Sequence, residues 1–83
     1  MYCVYILKVN HPEKEYYIGS TPNLKRRLEE HKSGCVQSTK GKLPVELIYY
    51  ECYINDCLAK TREKNLKKSE STYMGLMKKL DLK

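Results

Sequence analysis

Tyr17-Ile18-Gly19-Ser20-Thr21-Pro22-Asn23-Leu24-Lys25-Arg26-Arg27-Leu28-Glu29-Glu30-His31 starts as a strand and ends as a helix. Its aromatic and β-branched start favours extended chain. Gly19 closes the strand, either as a simple entry to the turn or as a point where another group comes close. Pro22 suits the first turn of a helix, and Thr21 is the expected N-cap. The helix is expected to run to about Lys32 and stop at Ser33-Gly34. Leu24 and Leu28 form its apolar stripe. Arg27 borders that stripe, and His31 follows on the same face one turn later.

Upstream, residues 2–9 read as a strand with Tyr2, Val4 and Ile6 on one face and Cys3, Tyr5 and Leu7 on the other. Both faces are largely apolar, which suits a central strand covered on two sides. Asn10 to Lys14 reads as a turn, and Glu15 to Ser20 returns, so residues 2–20 form a hairpin. An even register sum places Tyr5 and Tyr17 on one face, and an odd sum separates them.

Downstream, residues 35–44 are polar, contain Gly41 and Pro44, and read as an exposed loop. Val45 to Tyr53 is a third strand. Asn55 or Asp56 caps a helix from about Cys57 to Lys68. Ser69 or Ser71 starts another, in which Tyr73, Leu76, Met77 and Leu80 recur at helical spacing. The order implies one domain over residues 1–83, a small antiparallel or mixed sheet with helices packed on it.

The net charge of +6 points to a polyanion, nucleic acid first and an acidic membrane surface second. Half of the sixteen Lys and Arg residues lie after residue 55, against four acids, which favours a basic helical face. The amino-terminal residues do not make a signal peptide, and no run approaches the roughly 20 apolar residues of a membrane span. The expectation is a cytoplasmic protein. Its four cysteines are then expected to stay reduced. Cys52 and Cys57 are too far apart for the common zinc-knuckle pair, and no second pair exists.

Five residues suit chemistry. Tyr5 and Tyr17, on a shared face, are able to polarise each other or hold a water. Arg27 can grip phosphate with two parallel hydrogen bonds. His31 can exchange a proton near neutral pH, although a lone helical histidine is more simply a half-exposed side chain near the helix end. Glu63 lies on the apolar margin of its helix and needs a partner: an arginine, a lysine (Lys60, Lys64 or Lys67) or a metal ion.

The ordered set Tyr5, Tyr17-Ile18-Gly19, Asn23-Leu24, Arg27, His31, Ala59 and Glu63 resembles the GIY-YIG nuclease family, closest to its small stand-alone bacterial members. The resemblance implies an α+β fold, a three-stranded antiparallel sheet flanked by about three helices in the order β-β-α-β-α-α. It implies hydrolysis of a nucleic-acid phosphodiester, DNA ahead of RNA, as in DNA repair or recombination. Tyr17 would help activate water, Tyr5 would join its hydrogen-bond network, Arg27 would hold the phosphate and His31 would assist proton movement. Glu63 would bind Mg2+ or Mn2+. A protein partner is expected to supply substrate targeting, because no appended DNA-binding domain is evident. Two features depart from the pattern: Cys3 stands where the first motif has glycine, and the late asparagine of some members has no match. The alternatives are a non-catalytic nucleic-acid-binding module and a small interaction subunit. The five residues are expected to line one solvent-accessible cleft.

Overall fold

The fold is taken from a computed structural model, which describes residues 1–10, 12, 16–37, 39–68 and 70–80. Its elements are β1 (Tyr2–Lys8), β2 (Tyr16–Thr21), α1 (Leu24–Lys32), β3 (Glu46–Tyr53), α2 (Asp56–Lys68) and α3 (Glu70–Lys79). The strands form one antiparallel sheet in the order β2-β1-β3. This is the expected α+β architecture. Most of the expected hairpin turn, with Glu15 and Ser69, lies outside the described residues.

β1 is central because both of its faces are apolar. Val4 and Ile6 join Ile18, Ala59, Leu66, Leu76 and Met77 in a core beneath α2 and α3. Tyr5 and Leu7 join Val9 and Val45 in a second core, against which Leu24 and Leu28 of α1 pack. Strand alternation therefore sends odd residues of β1 and β2 toward α1 and even residues toward α2. Tyr5 pairs with Gly19 and Leu7 with Tyr17. The register sum is even, so Tyr5 and Tyr17 share the α1 face. A register shift between Ile6 and Leu7 in the pairing with β3 returns Leu47 to that same face.

Three local expectations are corrected. Asn23, rather than Thr21, caps α1: its side chain accepts from the Arg26 N–H, while Thr21 ends β2 and its hydroxyl accepts from the Asn23 N–H. Thr21 pairs with Cys3 in the sheet, so the strand claims it before the helix begins. The segment 35–44 is not a simple exposed loop, because Val36 and Thr39 are buried. The cysteines are not all reduced: Cys3 and Cys52 form a disulfide, and Cys35 and Cys57 are free and exposed. Antiparallel register places Cys3 directly opposite Cys52, so the two thiols meet across 49 residues of chain.

Glu51 on β3 ties the far edge of the sheet to α2. It accepts from the Tyr49 hydroxyl at 2.6 Å, the Tyr53 hydroxyl at 2.8 Å and Arg62 Nε at 2.5 Å. Burial opposes its charge, but these donors hold its pKa below the ordinary carboxylate value. The hydrogen bond to Glu51, with burial, pushes Tyr49 up to about 12.

Candidate active site

The α1 face of β1 and β2 carries a buried polar chain. Tyr5, 2% exposed, and His31, 0% exposed, meet through the Tyr5 hydroxyl and His31 Nε2 at 2.7 Å. The second ring nitrogen, Nδ1, lies 2.7 Å from the hydroxyl of Thr39, also fully buried. α1 places His31 here because its apolar stripe faces the sheet and His31 continues that stripe at its last turn. The loop after α1 folds back over the helix end and delivers Thr39.

Burial pushes the Tyr5 phenol up to about 12, although the neighbouring Arg27 charge works against this. Burial, then the Arg27 charge, lowers His31 below its ordinary value. Both groups are neutral at pH 7. Arg27 can only donate, so its approach to the Tyr5 oxygen favours one proton arrangement. In it, Tyr5 donates to His31 Nε2, and His31 Nδ1–H donates to Thr39.

Above this chain lie the half-buried Tyr17 and Arg27. The Tyr17 ring centroid is 5.1 Å from that of His31 and 6.3 Å from that of Tyr5. Arg27 donates to Glu30 at 3.3 Å. Gly19 makes the packing possible. A Cβ at this position would lie 2.6 Å from the Tyr5 hydroxyl oxygen and 3.1 Å from Tyr17 Cε1. Of the two readings of this glycine, close approach is therefore the one the structure requires.

Glu63 arrives from the other side of the sheet. Ser20, the residue after Gly19, donates its hydroxyl to Glu63 Oε1 at 2.5 Å, and Lys67 pairs with Oε2 at 2.7 Å. Burial opposes the Glu63 charge, but Lys67 and Ser20 keep its pKa below the ordinary value. β2 is an edge strand, so the α2 carboxylate and the α1-face tyrosines approach each other around that edge. The Glu63 charge is felt at the Tyr5 phenol, and Lys67 Nζ lies 6.0 Å from the Tyr17 ring centroid.

The expected single open cleft is thus corrected. Tyr5 and His31 form a buried floor, Tyr17 and Arg27 lie above it, and Glu63 reaches in around an edge. His31 is not the half-exposed helical histidine of the simpler reading, because its ring fills a core position. Thr39 escaped the sequence reading, and Lys67 was named there only as one of three lysines able to pair with Glu63. Thr39 lies in a polar segment without periodicity, and Lys67 is one of several lysines on α2.

No group of three or more His, Cys, Asp or Glu able to hold a metal ion occurs among the described residues. A hydrated Mg2+ or Mn2+ does not need one, since such ions often take one carboxylate together with waters and substrate phosphate oxygens. Glu63, ionised, partly exposed and beside the Ser20 hydroxyl, fits that donor set.

Acid stability follows from these shifts. His31 is lowered on folding, so its contribution is present above its unfolded value of about 6.5 and is lost as the pH falls below it. Glu51 and Glu63 are also lowered, so theirs is present above about pH 4.3 and is lost as the pH falls through the folded values. Urea unfolding across pH 3 to 8 should show both declines. Glu51→Gln should lower stability at neutral pH and flatten the second decline only. An unchanged acid limb in Glu51→Gln would contradict this assignment.

The chain matches a family model, the GIY-YIG catalytic domain, over residues 1–78. The chain belongs to the GIY-YIG nuclease family. It is 41% identical over 66 residues to the UPF0213 protein CPE1444 of Clostridium perfringens, covering 78% of this chain and 69% of that one. It is 33% identical over 64 residues to the UPF0213 protein HQ_3675A of Haloquadratum walsbyi, covering 76% of this chain and 72% of that one. A third similarity, 43% identity over 53 residues, is to a structure-specific endonuclease subunit, SLX1, of Podospora anserina. It covers 58% of this chain but only 15% of that protein. No solved structure gives a significant match. No described helix is long and apolar enough to cross a membrane.

Proposed function

We propose that this protein is a metal-dependent endonuclease that hydrolyses phosphodiester bonds in nucleic acid, DNA ahead of RNA. The observation that carries the reading is the neutral Tyr5–His31–Thr39 chain beneath Tyr17 and Arg27, with Glu63 beside the same glycine edge. Tyr17, the more accessible phenol, serves as a proton relay: its oxygen takes a proton from the attacking water as its own hydroxyl proton passes to solvent. Tyr5 is held neutral and buried, so it orients the site rather than acting as the base. His31 has both nitrogens engaged, so it exchanges protons only through Tyr5 or Thr39. Arg27 grips the phosphate and offsets the charge that builds on its oxygens. Glu63 would hold a divalent ion, whose charge would stabilise the leaving group when bound. The similarity to a structure-specific endonuclease subunit makes branched DNA the first substrate to try, with a partner supplying targeting.

The test is cleavage of labelled single-stranded, duplex, flap and junction substrates with and without Mn2+. Metal-dependent cleavage of any of them supports the reading, and cleavage of none while binding persists supports a non-catalytic binding module. Binding to duplex DNA is expected to weaken on the order of 40-fold between about 50 and 200 mM salt, the value for roughly three phosphate contacts. Affinity insensitive to salt would favour a protein partner instead.

A further inference from the structure

We infer that Lys67 is the built-in counter-ion of Glu63, which a divalent cation must displace in order to bind. The inference rests on the reading of Glu63 as the metal ligand. Lys67 stands four residues after Glu63 on α2, the helical spacing at which two side chains meet. Its ammonium holds Oε2 at 2.7 Å while Ser20 holds Oε1, so both carboxylate oxygens are engaged. The neighbouring Lys60 is committed elsewhere, to Asp56 at 3.1 Å.

The position of the same ammonium relative to Tyr17 makes this pair more than a helix-surface bridge. Its nitrogen lies 6.0 Å from the Tyr17 ring centroid, although Tyr17 faces α1 and Glu63 belongs to α2. Lys67 therefore spans the β2 edge around which the two halves of the site meet. Its side chain is 48% exposed, which leaves it free to swing away from the carboxylate. A cation and an ammonium cannot both hold Oε2 at close range, because like charges repel strongly where water is partly excluded. Once released, the ammonium is still tethered beside Tyr17, where phosphate is expected. Cation and nucleic acid then favour each other's binding: the cation frees Lys67, and the phosphate gives it a new partner.

Direct Mn2+ titration of the nucleic-acid-free protein, by the paramagnetic resonance signal of free Mn2+, tests the displacement without any cleavage. Lys67→Ala is expected to bind Mn2+ roughly two- to five-fold more tightly than wild type, as expected for an ion pair of this exposure. Lys67→Arg keeps the charge and should stay near wild type. Glu63→Gln should lose the site. Unchanged or weaker binding in Lys67→Ala, with Glu63→Gln still defective, overturns the role of Lys67 alone. Equal binding by Glu63→Gln and wild type overturns the placement of the metal on Glu63, and this inference with it. Circular dichroism of each variant separates these outcomes from unfolding.

Discussion

Glu63→Gln is expected to abolish metal-dependent cleavage, by a factor on the order of 10³, while the protein stays folded. The substitution is nearly isosteric. Its amide oxygen can still accept from Ser20, so the contact that docks α2 against the β2 edge survives. The Lys67 pair weakens, a loss of about 0.3–0.5 kcal/mol for a helix pair of this kind. The negative charge that would hold the cation disappears altogether. Arg27→Ala provides the contrast. It should reduce cleavage on the order of 10²-fold through lost stabilisation of phosphoryl charge, yet weaken binding less, since other basic residues share that work. Rates and affinities measured side by side for the three proteins decide the matter. An undiminished cleavage rate in Glu63→Gln would refute the role given to the carboxylate.

Gly19→Ala should damage stability and activity together. The new Cβ would fall 2.6 Å from the Tyr5 hydroxyl oxygen and 2.7 Å from Tyr5 Cζ, well inside contact distance. A flexible side-chain tip could move aside, but this ring cannot do so cheaply. It is buried, rigid and hydrogen-bonded to His31, which is in turn bonded to Thr39. Relief requires β2 to separate from β1 or the Tyr5–His31 bond to break. Overpacking of this kind costs about 2–3 kcal/mol. A domain this small has a total stability on the order of 5 kcal/mol, so the loss is severe. Urea denaturation gives the first quantity, and cleavage by the remaining folded fraction gives the second. Wild-type stability in Gly19→Ala would show that Tyr5 has room to move.

The two predictions draw on different layers of information. Glu63 was visible in the sequence because a carboxylate on the apolar margin of a helix requires a partner. Arg27 was visible because helical spacing puts it beside the stripe of Leu24 and Leu28, whereas His31 was singled out by the family resemblance. The double-sided apolar pattern of β1 announced a central strand, and β1 is central. These are local signals: each depends on residues within a few positions, and the periods of helix and strand convert spacing into direction.

What could not be read locally was everything that depends on register, docking or loop return. Spacing alone left Tyr5 and Tyr17 on one face or two, and pairing with an even sum settled it. Gly19 had two explanations until Tyr5 was found directly across from it. Cys3 and Cys52 looked like separate thiols, because a pairing 49 residues long has no signature in either neighbourhood. Thr39 acquired its purpose only when the loop after α1 folded back onto His31. Residue type and short-range spacing dictated which strands and helices form and which side chains can do chemistry. The buried chain, the crossing of the β2 edge and the Ser20 contact to Glu63 came from tertiary packing. Contacts between distant segments are set by the burial of two cores at once, and no single stretch of chain carries that sum.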